Sequence, residues 1–255
     1  TLHENDKTMS KSIDIPVAIV IPVYNEAESI IEVLTEVLQR LTRALDFEVI
    51  AVDDGSADDT LERMIHLRNR CNAPLRIIRH TANFGKSTAL YTGIKAARSR
   101  WVVTLDGDGQ NDPADIPRLL EMLKDPGRPS NLQLICGFRY NRQDPWLKRI
   151  ASRIANQLRS RLLNDGTPDT ACGLKLINRQ AFLDLPFFDN MHRFLPALIQ
   201  RNGDAVVSIA VNHRPRLRGR SKYGVWDRLW AGIIDLLGVL WLQRRVKRPI
   251  FEEVK

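Results

Sequence analysis

Two aspartates separated by one glycine, Asp106 and Asp108, are the residues whose types and spacing point most directly to chemistry. They follow an apolar run at 101–105, which predicts a buried strand, and Pro113 beyond them is typical of the first turn of a helix. With the amide oxygen of Gln110, the two carboxylates form a set of hard oxygen ligands. Mg²⁺ and Mn²⁺ take such ligands when they share their coordination shell with phosphates. A solvated acidic turn is the alternative interpretation of the pair alone.

Two earlier stretches place acidic residues after predicted strands in the same way. An apolar run at 17–23 leads into the polar turn 24–26, and a second run at 47–52 leads into the acidic turn 53–56. Parallel sheets of α/β proteins bind their ligands at the carboxyl ends of the strands. The three turns are therefore expected at one edge of one sheet. For the turn 53–56 alone, the capping of the next helix is the alternative.

The remaining pattern predicts an α/β fold with one main unit. Predicted strands and helices alternate, which favours a mostly parallel sheet flanked by helices and joined by right-handed crossovers. We expect this unit at 15–225, after a flexible tail at 1–14 and before a C-terminal segment at 226–255. Further strands are predicted at 75–79, 132–136 and 205–211, a loop entering a strand at 169–177, and helices at 27–43, 86–97, 145–163 and 226–245.

The composition is that of a globular protein with an anionic partner. The 255 residues are 44% hydrophobic, which is ample for a core. The net charge of +8 is compatible with nucleic acid, a phosphorylated substrate or an anionic membrane face. Three cysteines without a C-x-x-C pair indicate thiols in a reducing compartment. No apolar run reaches the roughly 20 residues of a membrane span, and the first residues lack the pattern of a signal peptide.

Basic residues concentrate in two segments. Between 139 and 163 there is a single acid, Asp144, among seven arginines and lysines, and the loop at 213–222 is also densely basic. Guanidinium groups match the geometry of phosphates, so these segments favour a phosphate-rich ligand. A solvated helix side is the alternative for the first segment.

The last predicted helix, 226–245, carries an apolar stripe with Asp227, Arg228 and Asp235 on the opposite face. This pattern is typical of an amphipathic helix that lies in a membrane surface. Ordinary core packing or an oligomer contact is the alternative. The predicted stripe consists of Trp226, Leu229, Trp230, Ile233, Leu237, Leu240 and Trp241.

The chain resembles glycosyltransferase family 2, whose fold is called GT-A, and within it the polyprenyl-phosphate glycosyltransferases of the dolichol-phosphate mannosyltransferase type. The broader resemblance rests on four stretches: PVYNE at 22–26, VDDGS at 52–56, NFGK at 83–86 and DGDGQ at 106–110. The narrower one rests on the loop RLRGRSK at 216–222 and on CGLK at 172–175.

The resemblance implies a role for each matching residue. The nucleotide sugar would be bound by Pro22, Tyr24, Glu26, Asp53 or Asp54, Lys86 and Asp106, and the Mg²⁺ or Mn²⁺ ion by Asp106, Asp108 and Gln110. The donor and acceptor phosphates would be bound by Arg139, Arg149, Ser152, Asp169, Arg216, Ser221 and Lys222. The catalytic residues would be Asp106, Asp108, Arg139 and Arg216, in a transfer that inverts the anomeric centre.

The implied reaction moves a sugar from a nucleotide diphosphate to a polyprenyl phosphate, by an enzyme attached peripherally to the cytoplasmic face of the inner membrane. A lipid phosphate is anionic near neutral pH and needs no strong general base, whereas a hydroxyl acceptor does. His192 and His213 are accordingly expected to be structural or peripheral.

Two other functions compete with this one. A family-2 enzyme that glycosylates a soluble or glycan hydroxyl would carry a base-like Asp or Glu near the acceptor. A nucleic-acid-binding module is suggested by net charge alone and is disfavoured, because the chain carries no recognised binding motif. A homo-oligomer stays open, and the motifs encode neither the sugar, the nucleotide base nor the polyprenyl length.

Overall fold

The structure, a computed structural model, describes residues 13–42, 45–71, 74–139, 157, 159–215, 225–247 and 252. Most of the predicted tail and most of the predicted helix at 145–163 lie outside the described residues. The same is true of five predicted phosphate-binding residues, which are Arg149, Ser152, Arg216, Ser221 and Lys222.

The described chain contains the strands β1 (Ile13–Val23), β2 (Leu45–Asp53), β3 (Leu75–Arg79), β4 (Trp101–Thr104), β5 (Leu132–Arg139), β6 (Lys175–Asn178) and β7 (Ala205–Val211). They form one sheet in the order β3-β2-β1-β4-β6-β5-β7. Neighbours among β1 to β4 are parallel, as are β5 and β7. β6 runs antiparallel to both β4 and β5, so the sheet is mixed but mostly parallel.

Helices cover both faces of this sheet and create two apolar cores. On one face, Ile19 of β1 belongs to the same buried cluster as Leu34. On the other, Val20 of β1 belongs to a cluster with Ile94 and Leu198. Burial on both faces explains why β1 is a continuous apolar run. The helices are α1 (Ile30–Leu41), α2 (Thr60–Arg70), α3 (Lys86–Ala96), α4 (Ile116–Glu121), α5 (Arg179–Leu183), α6 (Leu195–Arg201) and α7 (Val225–Arg244).

The predicted fold class, a mostly parallel sheet flanked by helices, is confirmed. Two local features differ from the prediction. The first helix begins at Ile30 and not at 27, because the N–H groups of Ser29 and Ile30 both donate to Glu26 O and close a turn there. The antiparallel direction of β6 was not predicted.

The C-terminal helix α7 packs against the domain along one side. Val239 is fully buried, and Leu236 and Leu240 are partly buried against the same core. Arg201 Nε of α6 donates to Leu242 O at 3.0 Å, which fixes the end of the helix. Within the described residues, every helix is too short or too polar to span a bilayer.

The opposite side of α7 presents an exposed apolar stripe. Ile234, Leu237 and Trp241 are 67%, 61% and 59% exposed. One prediction for this helix is wrong: Leu240 was placed on the same stripe as Leu237 and Trp241, but it packs inward. Asp235, predicted on the opposite face, is partly accessible. Burial raises the pKa of the Asp235 carboxyl, against the opposing charge of Arg193.

Candidate active site

Hydrogen bonds join the three acidic turns, 24–29, 53–56 and 106–111, which together are called the acidic rim below. Asn25 N donates to Ser56 Oγ at 2.9 Å, which connects the turns after β1 and β2. Ser29 Oγ lies 3.1 Å from both Glu26 Oε2 and Gly107 O, which connects the turns after β1 and β4. The turns that the sequence places after three strands therefore meet at one edge of the sheet.

Asp54 organises the loop that leads into α3. Its carboxylate accepts hydrogen bonds from His80 Nδ1 at 2.7 Å, Phe84 N at 3.0 Å and Gly85 N at 2.8 Å. These bonds fix the start of α3 and with it Lys86, the first residue of the helix. Asp54 was predicted to hold the nucleotide, but the partners found for it belong to the loop between β3 and α3.

The other residues predicted for the base and ribose lie along the rim. Pro22, Tyr24 and Glu26 are partly accessible at the carboxyl end of β1. Asp53 is fully buried beside them, and its Oδ2, 3.8 Å from Arg79 Nε, accepts no hydrogen bond from the described residues. The role of these residues in nucleotide binding remains a prediction.

Asp106 and Asp108 project from the turn after β4. Asp106 Oδ1 accepts a hydrogen bond from Lys86 Nζ at 2.6 Å, and the Asp106 side chain is 26% exposed. Asp108 is more buried, and its Oδ1 accepts from Gln110 N at 3.1 Å. Asn111 Oδ1 accepts from Asp106 N at 3.2 Å, so the turn holds its own shape.

Three cations surround the Asp106 carboxylate and keep its pKa below the ordinary value. Burial alone raises that pKa, but the charge and hydrogen bond of Lys86 lower it, and the charges of Lys175 and Arg139 lower it further. Asp106 is therefore ionised at neutral pH. The effect also places Arg139, predicted to bind phosphate, within electrostatic reach of the acidic rim.

Gly173, on the loop before β6, lets that loop pass directly against Asp106. A Cβ at this position would lie 2.4–2.5 Å from the carboxylate atoms of Asp106. Thr104 Oγ1 donates to Gly173 O at 2.7 Å and holds the loop in place. The CGLK stretch marked this loop in the sequence, but the contact depends on the antiparallel β6 and was not predicted.

Lys175, the first residue of β6, is a second site residue that sequence reasoning missed. It is buried, with Nζ donating to Thr170 O at 3.1 Å and to Cys172 O. A buried ammonium requires such partners, because an uncompensated charge is costly in the interior. Its positive charge lowers the pKa of the Asp106 carboxyl.

The donor set of the acidic rim fits a hard divalent ion. In the described chain, no three His, Cys, Asp or Glu side chains converge on one point. Mg²⁺ and Mn²⁺ do not require that, since one or two carboxylates with phosphates and waters complete their shell. Asp106 and Asp108 supply those two carboxylates, with Gln110 partly accessible beside them.

Arg139, at the end of β5, is held by Asp169 in a bidentate pair. Its Nε and Nη2 donate to the two carboxylate oxygens at 2.6 and 2.9 Å. Ala171 N donates to Asp169 Oδ1 as well, at 3.2 Å. Asp169 was predicted to contribute to the phosphate site, and the contacts found for it orient Arg139.

The start of the basic loop docks on the acidic rim. His213 forms an isolated bridge with Asn111, and Arg214 N donates to Gln110 O at 3.0 Å. The Arg214 guanidinium pairs with Asp112 at 2.6 Å. His213, expected to be peripheral, therefore lies beside the predicted metal turn. A sequence gives no sign of this contact, because about a hundred residues separate its two partners.

A cavity of about 420 Å³, called the α7 cavity below, runs from Asp106 to α7. Four cationic side chains line it, namely Lys86, Arg159, Lys175 and Arg193. Its apolar lining consists chiefly of Leu90, Phe194, Leu195, Ile233 and Leu236. The lining therefore combines positive charge with an apolar wall, to which Ile233 and Leu236 of α7 contribute.

His192 also lines the α7 cavity, on the 3-10 turn Met191–Arg193. Its Nδ1 lies 2.7 Å from Ser87 Oγ, next to Lys86 on α3. Burial lowers the pKa of His192 well below the ordinary value, and the nearby positive charges, chiefly Lys86, lower it further. The ring is therefore neutral at neutral pH. It was expected to be structural or peripheral.

Solved structures with the same fold include glucosyl-3-phosphoglycerate synthase from Mycobacterium tuberculosis. A structure with Mn²⁺, UDP-glucose and glycerol 3-phosphate matches 97% of this chain and 88% of that chain, with a TM-score of 0.69 and 20% identity. Another with Mn²⁺, UDP and phosphoglyceric acid matches 92% and 80%, with a TM-score of 0.67 and 21% identity. At these identities the likeness establishes the fold alone, and that fold is the GT-A fold of glycosyltransferases.

Residues 18–185 match the family "Glycosyl transferase family 2". The chain is 35% identical, over 91% of its length and 68% of the relative's, to dodecaprenyl-phosphate galacturonate synthase of Rhizobium johnstonii. It is 33% identical, over 82% and 63%, to undecaprenyl-phosphate 4-deoxy-4-formamido-L-arabinose transferase of Edwardsiella ictaluri. It thus spans about two thirds of the length of these relatives. The chain belongs to glycosyltransferase family 2.

Proposed function

We propose that this glycosyltransferase moves a sugar from a nucleotide diphosphate to a polyprenyl phosphate. The observation that carries the proposal is the α7 cavity, which joins cations beside Asp106 to an apolar wall. A molecule that is a phosphate at one end and a hydrocarbon at the other complements both the cationic and the apolar lining residues. Two relatives are named for dodecaprenyl phosphate and undecaprenyl phosphate, which supports the same class of acceptor.

The acidic rim is suited to the donor diphosphate and its Mg²⁺ or Mn²⁺. Asp106, Asp108 and Gln110 would hold the ion, which when bound neutralises charge that develops on the departing diphosphate. Lys86 adds a fixed positive charge next to this position, and Arg139 adds a second within electrostatic reach, so both stabilise the same developing charge. The mycobacterial structures, which bind Mn²⁺ with UDP or UDP-glucose on the same fold, are consistent with this use of the rim.

The acceptor phosphate is proposed to enter from the side of Arg193 and Lys175. Its oxygen forms the new bond to the anomeric carbon as the bond to the donor diphosphate breaks on the opposite face, so the configuration inverts. No proton has to be removed from an ionised phosphate. Asp106 is the one carboxylate among the described residues that line the cavity, and it is paired with Lys86. The absence of a second acid there favours a phosphate over a hydroxyl acceptor.

Attachment to the cytoplasmic face of the inner membrane is proposed to use α7. Its exposed stripe of Ile234, Leu237 and Trp241 lies close to the exposed cations Arg244 and Arg245 at the helix end. Apolar side chains with adjacent basic residues bind the surface of anionic bilayers. A polyprenyl phosphate would then reach the α7 cavity without leaving the membrane surface.

The function is tested with a panel of nucleotide sugars, undecaprenyl phosphate and either Mg²⁺ or Mn²⁺. Formation of a lipid-linked sugar is expected with one donor, and Asp108→Asn is expected to abolish it with an unchanged melting temperature. Glu121→Gln, an exposed acid on α4, is the matched control and should retain full activity. Transfer to a soluble hydroxyl and not to the lipid, or near-full activity of Asp108→Asn, would contradict the proposal.

Membrane attachment is tested separately by sedimentation with vesicles of phosphatidylglycerol and phosphatidylcholine. Leu237→Gln combined with Trp241→Gln is expected to reduce the bound fraction several-fold, because it removes apolar area from the stripe. Phe187→Gln, which changes an exposed aromatic residue outside α7, is expected to have no effect. Equal binding of both variants would leave the stripe as a packing or oligomer contact.

A further inference from the structure

Ser87 and His192 connect α3 to the turn before α6 by two contacts. Ser87 Oγ lies 2.7 Å from His192 Nδ1, and His192 N donates to the same oxygen at 3.4 Å. Ser87 is 1% exposed, so its hydroxyl proton has no access to bulk water. The positions of the protons on the Ser87 hydroxyl and the His192 ring are therefore determined by the hydrogen-bonding groups of the protein around them.

The proton of the pair is assigned by the requirement that buried polar groups find partners. The backbone N–H of His192 already approaches the Ser87 oxygen as a donor. If Nδ1 also donated to that oxygen, the buried hydroxyl proton would have no acceptor among the described residues. If the hydroxyl donates to Nδ1, both groups are satisfied. A neutral ring that accepts at Nδ1 carries its proton on Nε2.

Because Nδ1 is bonded to Ser87, Nε2 is the polar group of the ring that is left for a ligand. His192 lines the cavity together with Lys86 and Asp106, and no described residue is found hydrogen-bonded to Nε2. The ring stays neutral because burial and the neighbouring cations disfavour its protonation. It thus carries one N–H group that no described residue is found to engage, and it lines the same cavity as Asp106.

We propose that His192 donates this Nε2–H to an oxygen of the sugar being transferred and so selects the donor sugar. The inference rests on the proposed function, because a sugar bound through a diphosphate at Asp106 lies in the cavity that His192 lines. A neutral donor suits a hydroxyl or ring oxygen, whereas a free Nε2 lone pair would suit proton removal. The assignment therefore makes His192 a specificity-determining residue and not a general base.

The tautomer is tested directly by ¹⁵N NMR of histidine-labelled protein at neutral pH, with His192→Asn used to assign the signal. The expected result is a neutral ring with a protonated Nε2 and an unprotonated Nδ1. Ser87→Ala is expected to remove this preference. An unprotonated Nε2 in the unmodified protein would overturn the proposal, whatever the acceptor of the enzyme proves to be.

Donor selection is tested with two variants that each replace one of the two hydrogen-bonding groups of the imidazole. His192→Gln can place an amide N–H near the position of Nε2, and His192→Asn keeps an acceptor for Ser87 but loses that N–H. For the preferred nucleotide sugar, His192→Asn is expected to bind about tenfold more weakly in calorimetry, as loss of one neutral hydrogen bond implies, and His192→Gln close to normally.

Two controls separate this inference from the proposed function. Affinity for the nucleotide diphosphate without sugar should be equal in all three proteins, since His192 does not contact it. The asparagine variant should lose no affinity for the deoxy-sugar donor that lacks the contacted hydroxyl. Normal donor selection with no transfer to polyprenyl phosphate would refute the acceptor class alone. Equal loss for every deoxy donor would overturn the role of His192.

Discussion

The acidic rim and the α7 cavity meet at Asp106 but are held together in different ways. In the rim, side chains bond to backbone groups of a neighbouring turn, as Ser56 does with Asn25 and Ser29 with Gly107. Around the cavity, ion pairs and apolar contacts are added to such bonds, for example the pair of Arg159 with Asp165. Bonds to backbone fix a geometry closely, whereas ion pairs and apolar walls tolerate displacement. The difference fits a rim that grips one diphosphate and a cavity that admits a long lipid.

The substitution with the largest expected effect is at Gly173, because it disturbs the fixed geometry of the rim at Asp106. In Gly173→Ala the new Cβ would overlap the Asp106 carboxylate, and the carboxylate or the loop must move. Turnover is expected to fall on the order of a thousandfold, as when one group that stabilises developing charge is lost. Steady-state transfer assays measure the loss, and the melting temperature reports whether the fold survives.

Gly238→Ala is the control for Gly173→Ala. A Cβ at Gly238, on the exposed side of α7, meets nothing within 4 Å. Its turnover is expected to equal that of the unmodified protein. If Gly173→Ala retained comparable turnover, the loop before β6 would not constrain Asp106, and the contrast between a fixed rim and a tolerant cavity wall would fail.

Asp169 is expected to have the next largest effect, on stability. In Asp169→Asn the Arg139 guanidinium, 13% exposed, loses its bidentate partner. Breaking a buried pair by removing one partner costs about 3 kcal/mol, so the free energy of unfolding should fall by roughly that amount. Urea denaturation measures it. Asp184→Asn, an exposed acid, should change it by less than about 0.5 kcal/mol. Equal losses would mean that Asp169 does not orient Arg139.

The rim was more predictable than the cavity because its contacts follow strand ends. The polar turns after β1, β2 and β4 had to meet once those strands were parallel neighbours, and that arrangement followed from the alternation of strands and helices. Lys175 lay beyond such reasoning. The position of Lys175 near Asp106 depends on the direction of β6. The sequence of a four-residue strand that follows a loop does not show whether the strand runs parallel or antiparallel to its neighbours.

The faces of α7 were partly mispredicted for a related reason. Leu240 packs inward and Leu237 faces outward, yet both are leucines in a stretch that is apolar on most of its circumference. Helical periodicity identifies an apolar face only when a polar face opposes it. Which leucine is buried depends on the surface of α6, and the sequence of α7 alone does not contain that information.

Lys86 connects the two regions, and its removal is expected to have an intermediate effect. Lys86 Nζ lies 2.6 Å from the Asp106 carboxylate. Without bound nucleotide sugar, the ammonium group therefore competes with a divalent ion for this carboxylate. In Lys86→Met, Mn²⁺ is expected to bind about tenfold more tightly without nucleotide, as measured by electron paramagnetic resonance. Turnover should nevertheless fall, because a fixed charge beside the diphosphate is lost.

Lys95→Met is the control for Lys86→Met. Lys95 lies near the other end of α3 and is exposed. Mn²⁺ affinity and turnover should both be unchanged in this variant. Unchanged Mn²⁺ affinity in Lys86→Met as well would indicate that the ion does not use Asp106, and the metal assignment would have to move away from that carboxylate.

The smallest effect is expected from substitutions of the two glycines of α7. They distinguish an effect on the stability of the helix from an effect on binding of the lipid acceptor in the α7 cavity. Neither Gly232 nor Gly238 has an atom within 4 Å of an added Cβ, so alanine at each should stabilise the helix by about 0.5–1 kcal/mol. Only Gly232 lines the α7 cavity. Gly232→Ala should therefore lower turnover of the lipid phosphate severalfold while donor affinity stays constant, and Gly238→Ala should not. Equal activity of the two variants would place the acceptor chain elsewhere than along α7.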